Sequence, residues 1–453
     1  MQNYFADINK NVSSAPLFGS PDSAEIQISS RIPSYRLAFA SDHMRVYTSA
    51  RIATHAGPHR LDQNRGTIVG TIFKRDESTA ITHITASQSA EIINSHGRNL
   101  PNCYWGAYVA FVEHDSTVSV IRDPSGAVPC HVYETPFRIF IFSDLTDAVQ
   151  TGLLSLTIDW NHVAKYIGEA LQFAPETGFS NLQNLMPGEC LRISQSGFER
   201  IFYWHPYDIY RSIQSPTLQE CAYNLRHAVL TSVRGWASVY KNILVSLSGG
   251  FDSTFALGCL AQADQKNSVI CLNFYNQNAE SDERIYARDA ARHYGFELVE
   301  KEEKPDQVHF ENALKYRLAA TPKTILTELL RDQMEAEAAQ ANGGEALVSG
   351  SGGDAVFGQS SFFGAVDYLQ TRRRKPFLIQ AILDTAIQRR ESIWAILWEA
   401  VLAKATGNYD PFSDLRASYN RGPLVKLFTQ EAFSTLNRSL FDDEGRPGDT
   451  PPG

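Results

Sequence analysis

The sequence predicts two unlike folds in series: an α+β domain of packed antiparallel sheets, then an α/β domain on a doubly wound parallel sheet with a helical C-terminal part. Three observations carry that prediction. The first half holds short strand-like runs broken by turns. The second half alternates strand and helix, the pattern of a parallel sheet that takes ligands at the carboxyl ends of its strands. At 453 residues, the chain is also too long for one hydrophobic core.

In the first half the predicted strands are Thr67–Arg75, Ala107–Glu113, Thr117–Arg122 and Arg138–Phe142. Asp123-Pro124-Ser125-Gly126 makes a turn after the third of these, and a helical pattern over Ser87–Ser95 ends at Gly97. Leu185–Gly188 and Ser194–Gly197 read as further turns, and Trp204–Ser215 as the boundary. The expected domains are therefore 1–207 and 216–440, with a polar Gly- and Pro-rich tail over 441–453.

The second half opens with a buried-type strand, Asn242–Leu247, that runs into Ser248-Gly249-Gly250 and a helix over Asp252–Leu260. Strand Ser268–Tyr275, a charged helix Asp282–Tyr294 closed by Gly295, and strand Phe296–Lys301 follow. A long helix over about Ile325–Ala341 and strand Ala346–Ser349 complete the alternation. Beyond Gly358 the pattern is mostly helical.

Bulk composition excludes several classes. Hydrophobic content of 43% with 20% charged residues is that of a globular protein. No apolar run is long enough to cross a bilayer, and the opening MQNYFADINK lacks a basic-then-apolar signal, so a cytoplasmic chain is expected. A net charge of −9 argues against nucleic acid, which calls for a basic face. Cys103, Cys130, Cys190, Cys221, Cys259 and Cys271 form no CxxC pair, so free thiols are expected rather than a zinc cage or a disulfide framework.

The strongest signal is Ser248-Gly249-Gly250-Phe251-Asp252-Ser253. At a strand-to-helix junction, backbone N–H groups and the helix dipole converge on an anion. Two glycines allow the backbone to approach closely, and Ser248 and Ser253 can donate hydroxyls to phosphate oxygens. Asp252 carries the wrong charge for a phosphate unless Mg²⁺ intervenes, which assigns it to the metal. A glycine-rich turn opening a core helix explains the glycines but not the acid. No GxxxxGK[ST] is present, so this is not a Walker loop.

SGGFDS resembles the SGGxDS pyrophosphate loop of the N-type ATP pyrophosphatases, which cleave ATP to AMP and pyrophosphate. Ser349-Gly350-Ser351-Gly352-Gly353-Asp354 is similar to the SGxGxD motif of their asparagine synthetase branch. The resemblance implies ATP and Mg²⁺ as cofactors, with Asp252 and Asp354 as the metal-ligating, catalytic carboxylates. It places adenine and ribose against the backbone near Ser246, Leu247, Leu272, Ser349 and Gly350, with Ser248, Gly249, Gly250 and Ser253 around the phosphates. Ser281-Asp282-Glu283 also matches a DE pair of this branch, and reads equally as a helix N-cap.

The resemblance extends to the first domain. Gly106–Phe111, Arg122–Gly126, Phe142-Ser143-Asp144 and Pro187-Gly188-Glu189 look like landmarks of the class II glutamine amidotransferase fold, an Ntn-type αββα architecture. That fold uses an N-terminal cysteine, whereas this chain begins Met1-Gln2-Asn3 and has its first cysteine at Cys103. The resemblance therefore implies an inactive amidotransferase-like domain. Such a loss is typical of β-lactam synthetases and lasso peptide cyclases, and the wording of RDPSGAVPC and YWGAYVAF is closest to the latter. β-Lactam-forming members place a tyrosine, and asparagine synthetases a glutamate, where this chain has Ser351.

The implied reaction is adenylation of a carboxylate and closure of a macrolactam between a peptide N-terminus and an Asp or Glu side chain. The alternatives are an asparagine synthetase fed by free ammonia, a β-lactam synthetase, or a silent scaffold. Implied partners are a precursor peptide, a leader-peptide protease and a leader-recognition protein, with neither nucleic acid nor membrane. Relatives carry a later lysine-bearing segment; Lys375, Lys404 and Lys426 sit in no matching motif, so the chain reads as a fragment or a shortened natural protein. The basic run Arg372–Lys375 reads as a solvated helix face, and Trp394 and Trp398, at helical spacing, as core.

Overall fold

The computed structural model describes residues 3–10, 28, 31–49, 57–169, 174–212, 217–263, 267–276, 282–304, 316–322, 328–353, 364–370 and 378–406. By compactness the chain divides after Ser349, into residues 1–349 and 350–453. The boundaries at 207, 216 and 440 stand as a proposal from sequence.

The first twelve strands make two six-stranded sheets. They are β1 (Tyr4–Asn9), β2 (Tyr35–Ala40), β3 (Met44–Ser49), β4 (His59–Arg60), β5 (Gly66–Lys74) and β6 (Tyr104–His114). Then come β7 (Thr117–Arg122), β8 (His131–Glu134), β9 (Arg138–Phe142), β10 (Leu182–Asn184), β11 (Glu189–Ser194) and β12 (Gly197–Phe202). One sheet runs β10-β8-β9-β1-β3-β2 and the other β12-β11-β7-β6-β5-β4.

Side-chain alternation makes these sheets stack. Tyr4, Ala6 and Ile8 of β1 meet Val109 and Phe111 of β6 and Val118 and Val120 of β7 in one core between the sheets. The opposite faces are covered as well. Phe5, Tyr47, Phe140 and Phe142 pack with Leu145 and Ala148 of the helix Leu145–Gln150. Ile68, Ile72 and Tyr108 pack with Ile92 and Ile93 of α1 (Ala86–Asn94), whose Thr85/Gln88 capping box fixes its start. The result is a helix–sheet–sheet–helix stack.

The Arg122–Gly126 turn is a structural staple. Arg122 donates to the carbonyls of Val128, Leu185 and Gly126, and the fully buried Asp123 accepts from the backbone N–H groups of Tyr108 and Ser125. Burial raises the Asp123 carboxyl above its ordinary range.

A parallel sheet follows in the order β15-β14-β13-β16, where β13 is Asn242–Ser246, β14 Ser268–Tyr275, β15 Glu297–Glu302 and β16 Ala346–Ser349. Its one face is covered by α2 (Leu218–Val239), α3 (Phe251–Ala261) and α4 (Arg284–Tyr294), through Ala237, Leu257, Leu260, Ala287 and Ala291. The other is covered by α5 (Glu328–Asn342), whose Ala338 meets Leu244 and Leu272. Helices on both faces of parallel strands are the doubly wound arrangement expected from the alternation.

Two ties join this sheet's elements to the sandwich. Gly235 of α2 lies under Trp105, which stacks on Phe73 at 4.2 Å between ring centroids. The segment around Arg317 docks on the start of the helix Leu145–Gln150: Arg317 pairs with Asp144 (Nε–Oδ2 2.6 Å) and Asp147, and nearby Gly178 N–H donates to Ala320 O at 2.7 Å.

In the second unit, α6 (Gly364–Gln370), α7 (Leu378–Arg389) and α8 (Ile393–Thr406) surround a small core of Ala365, Ile382, Ala386 and Ile396. Here the sequence reading is corrected. Trp394 and Trp398 are 78% and 69% exposed, because Ile396 and Ala400 take the inward face of α8. Arg372–Lys375 and Lys426 lie outside the described residues.

Candidate phosphate-binding site

β13 ends at Ser246 beside Leu272 of β14 on one side and Ser349 of β16 on the other. The chain holds its line for one more residue, since Leu247 N–H donates to Leu272 O at 2.8 Å. It then turns through Ser248, Gly249 and Gly250 into α3. Gly249 has φ +96°, and a Cβ there would lie 2.9 Å from the Glu283 carbonyl oxygen and the Ala287 nitrogen of the neighbouring α4 segment. Only glycine satisfies both demands.

Gly250 is the N-cap of α3 and supplies no capping side chain, which leaves the first-turn N–H groups at the helix's positive end open to an anion. The loop is braced from within. Ser248 Oγ lies 3.1 Å from Ser253 Oγ and accepts from Gly250 N–H at 3.2 Å, while Ser253 Oγ donates to Gly250 O at 3.2 Å. Asp252 stands half-buried in the first helical turn.

The structure thus brings Ser246, Leu247, Ser248, Gly249, Gly250, Asp252, Ser253, Leu272 and Ser349 to the carboxyl ends of three parallel strands. Gly350 begins the second unit, where Gly353 N–H donates to Gly350 O at 3.3 Å. Asp354 lies outside the described residues, as does Ser281.

Of the DE pair, Glu283 is the N-cap and makes no side-chain cap bond, while Asp282 Oδ1 accepts from the Arg284 N–H at 3.1 Å and so satisfies the first backbone donor of α4. Asp282 also takes the Arg284 side chain in a two-point pair, at 2.6 and 2.8 Å, which holds its carboxyl down to about 2. The Arg284 guanidinium lies 3.9 Å from the Tyr275 ring centroid.

Two further residues, not singled out by the sequence, meet here. Asn273 Nδ2 donates to Leu247 O at 2.8 Å and ties β14 to the loop's first residue; its buried Oδ1 has no partner among the described residues. Glu335 of α5 hydrogen-bonds Ser246, and burial raises its carboxyl above the usual range.

These residues fit a polyphosphate: an uncapped helix start, a glycine held against its neighbour, and two hydroxyls in one turn. Among the described residues no three His, Cys, Asp or Glu side chains form a metal cluster. Mg²⁺ needs none, because it is commonly held by one or two carboxylates together with phosphate oxygens and water. Asp252, half-buried in the first turn of α3, is a carboxylate at that helix start. All six cysteines are free thiols, and no described helix is long and apolar enough to cross a membrane.

The family model for asparagine synthase matches residues 224–435, from within α2 through both glycine motifs. This stretch is just under half of the chain. No curated protein matches. Solved structures with some likeness include glutamine phosphoribosylpyrophosphate amidotransferase from B. subtilis, complexed with ADP and GMP: 10% identity over 82% of this chain and 94% of that one, TM-score 0.28. The NH3-dependent NAD synthetase of Campylobacter jejuni is 12% identical over 47% of this chain and 90% of its own, with TM-score 0.22. The glutamine-dependent NAD+ synthetase of Acinetobacter baumannii is 13% identical over 74% and 76%, with TM-score 0.24.

Proposed function

We propose that this protein uses ATP and Mg²⁺ to adenylate a carboxylate and joins the activated acyl group to an amine, closing a macrolactam in a lasso-type peptide. The carrying observation is the Ser248–Ser253 turn, with its bare helix start and its acid, inside a stretch that matches the asparagine synthase family.

The residues divide the work. Backbone N–H groups of the turn and first helical turn hold the departing pyrophosphate, and Ser248 and Ser253 keep that turn in shape. By the motif resemblance Asp252 and Asp354 would hold Mg²⁺, which would supply positive charge to offset that of the phosphates. Ser246, Leu247, Leu272, Ser349 and Gly350 wall the adenosine. Most of the acceleration comes from positioning the attacking carboxylate in line with the α-phosphorus.

The first domain is read as an amidotransferase-like scaffold. Its stacked sheets between helices support that reading, and Cys103, the first cysteine, sits exposed at the end of the short helix Leu100–Cys103, directly before β6. The peptide's own amine then replaces ammonia, at a high effective concentration. A leader-peptide protease and a leader-recognition protein would supply the processed peptide.

The test incubates the protein with ATP, Mg²⁺ and leader-cleaved peptides, and follows peptide mass and AMP. Loss of one water per AMP supports the proposal. Asparagine formed from aspartate and ammonia, with no reaction of any peptide, overturns the cyclase reading; no AMP with any carboxylate overturns the adenylation itself.

A further inference from the structure

We propose that a cavity bordered by the sandwich, α2 and β16 is a second ligand site, one that takes an apolar molecule carrying a positively charged amine. It encloses about 910 Å³ and is walled by β5 and β6, by the C-terminal half of α2, and by residues of β13 and β16, all within the first compact unit. That volume lies in the range of small-molecule sites, roughly 300–1,000 Å³.

Its lining sets the chemistry. One wall is a run of aromatic rings: Trp105 meets Trp236 edge-on at 6.3 Å, and Trp236 stacks with Tyr240 one helical turn on, at 6.5 Å. Tyr104 and Trp204 add two more rings. The charged residues of the lining are both acids, Asp123 and Glu345, and no Lys, Arg or His belongs to it. Glu345 stands exposed and is fixed by the Lys241 N–H, which donates to its Oε2 at 2.6 Å. Asp123 is fully buried and taken up by its own backbone partners, so the ring faces and the Glu345 carboxylate set the preference, which is for an ammonium over an anion.

The cavity is not the phosphate site. It touches Ile243 near the amino end of β13 and runs along Glu345–Val348, whereas the phosphate turn leaves the carboxyl end of the strand after Leu247. A triphosphate would meet Glu345 with no basic residue in the lining. This site therefore stands whether or not the chain adenylates a carboxylate.

The experiment offers one ring with three charges to the full-length chain without ATP: indole, tryptamine and indole-3-acetate, with binding followed by calorimetry. Tryptamine is expected to bind about fivefold more tightly than indole, and indole-3-acetate more weakly than either. Glu345→Gln should bring tryptamine close to indole. Ser232→Trp, at an exposed position of α2 on the cavity's lining, should abolish binding of both, and Ser232→Leu should weaken it to an intermediate degree. Near-ultraviolet circular dichroism checks that each variant is folded. Equal affinity for the three probes, preference for the acetate, no binding of any probe at millimolar concentration, or unchanged binding in folded Ser232→Trp overturns the proposal.

Discussion

Gly249 faces the Glu283 carbonyl so closely that an added Cβ would stand 2.9 Å from its oxygen. The phosphate turn is thus pressed against the start of α4, and its φ of +96° disfavours any other residue. Gly249→Ala must either strain the turn or move it off α4. The strain is about 1–2 kcal/mol, so the chain should still fold, with a slightly lower melting midpoint. Pyrophosphate release should fall at least about tenfold, since one kilocalorie and a half of misplaced transition-state contact gives that factor. Unchanged release would mean that the turn does not hold the phosphates.

Asp252→Ala and Asp354→Ala should each abolish Mg²⁺-dependent AMP formation, by about a hundredfold or more, since metal charge stabilisation contributes several kcal/mol. Asp252 is half-buried in a first helical turn, so its loss removes only about 0.3–1 kcal/mol of dipole stabilisation. Circular dichroism should show native folds. Near-normal AMP release from either folded variant would remove that residue from the metal site.

Gly235→Ala tests how α2 is seated. Glycine to alanine inside a helix ordinarily stabilises by about 1 kcal/mol. Here the new Cβ would come within 2.6 Å of the Trp105 ring, which is held by its stack on Phe73. Overpacking of this kind costs about 1–3 kcal/mol, so the clash should win and the melting midpoint should drop. A rise in midpoint would show that Trp105 can swing aside.

His131 makes the first domain sensitive to acid. Its Nδ1 lies 2.8 Å from Asn184 Oδ1 and its ring packs against Phe142. Burial lowers its pKa to about 4; among nearby charges Arg122 pushes the same way and Asp144 opposes. The unfolded chain takes up the proton near pH 6.5, the folded chain only near 4. Stability is therefore intact above 6.5, falls between 6.5 and 4, and is flat below, by up to about 3 kcal/mol. Asp7 and Asp123, whose carboxyls burial raises, work in the opposite direction at the acid end. His131→Gln, which keeps a polar partner for Asn184, isolates the effect: the gap between the two melting curves should change only between pH 6.5 and 4.

The parts that could be read from sequence were those with local causes. Ser248–Ser253 and the strands β7, β9, β14 and β16 are marked by turns and glycine at their own ends. β1 was not legible, because all six of its residues are buried and the polar–apolar alternation of a half-exposed strand is absent. α2 was missed although Thr217 and Glu220 form a capping box ahead of it, a signal that could have revealed it. Asn273 and Glu335 reach the site from other elements, so no local pattern announces them. Trp394 and Trp398 share a helical face, but spacing does not say which face turns inward.

The docking of Arg317 on Asp144 and Asp147 bears on how this protein can be dissected. A guanidinium engaged with two carboxylates from a segment more than a hundred residues earlier makes the peptide bond between the halves less important than the surface they share. Fragments 1–214 and 215–453 expressed separately would each expose Trp105 or Trp236 and leave these charges unmatched. Produced together in one cell, they should find each other and purify as a complex, and reversing the charges at 144, 147 and 317 together should make that pairing selective for the matched halves.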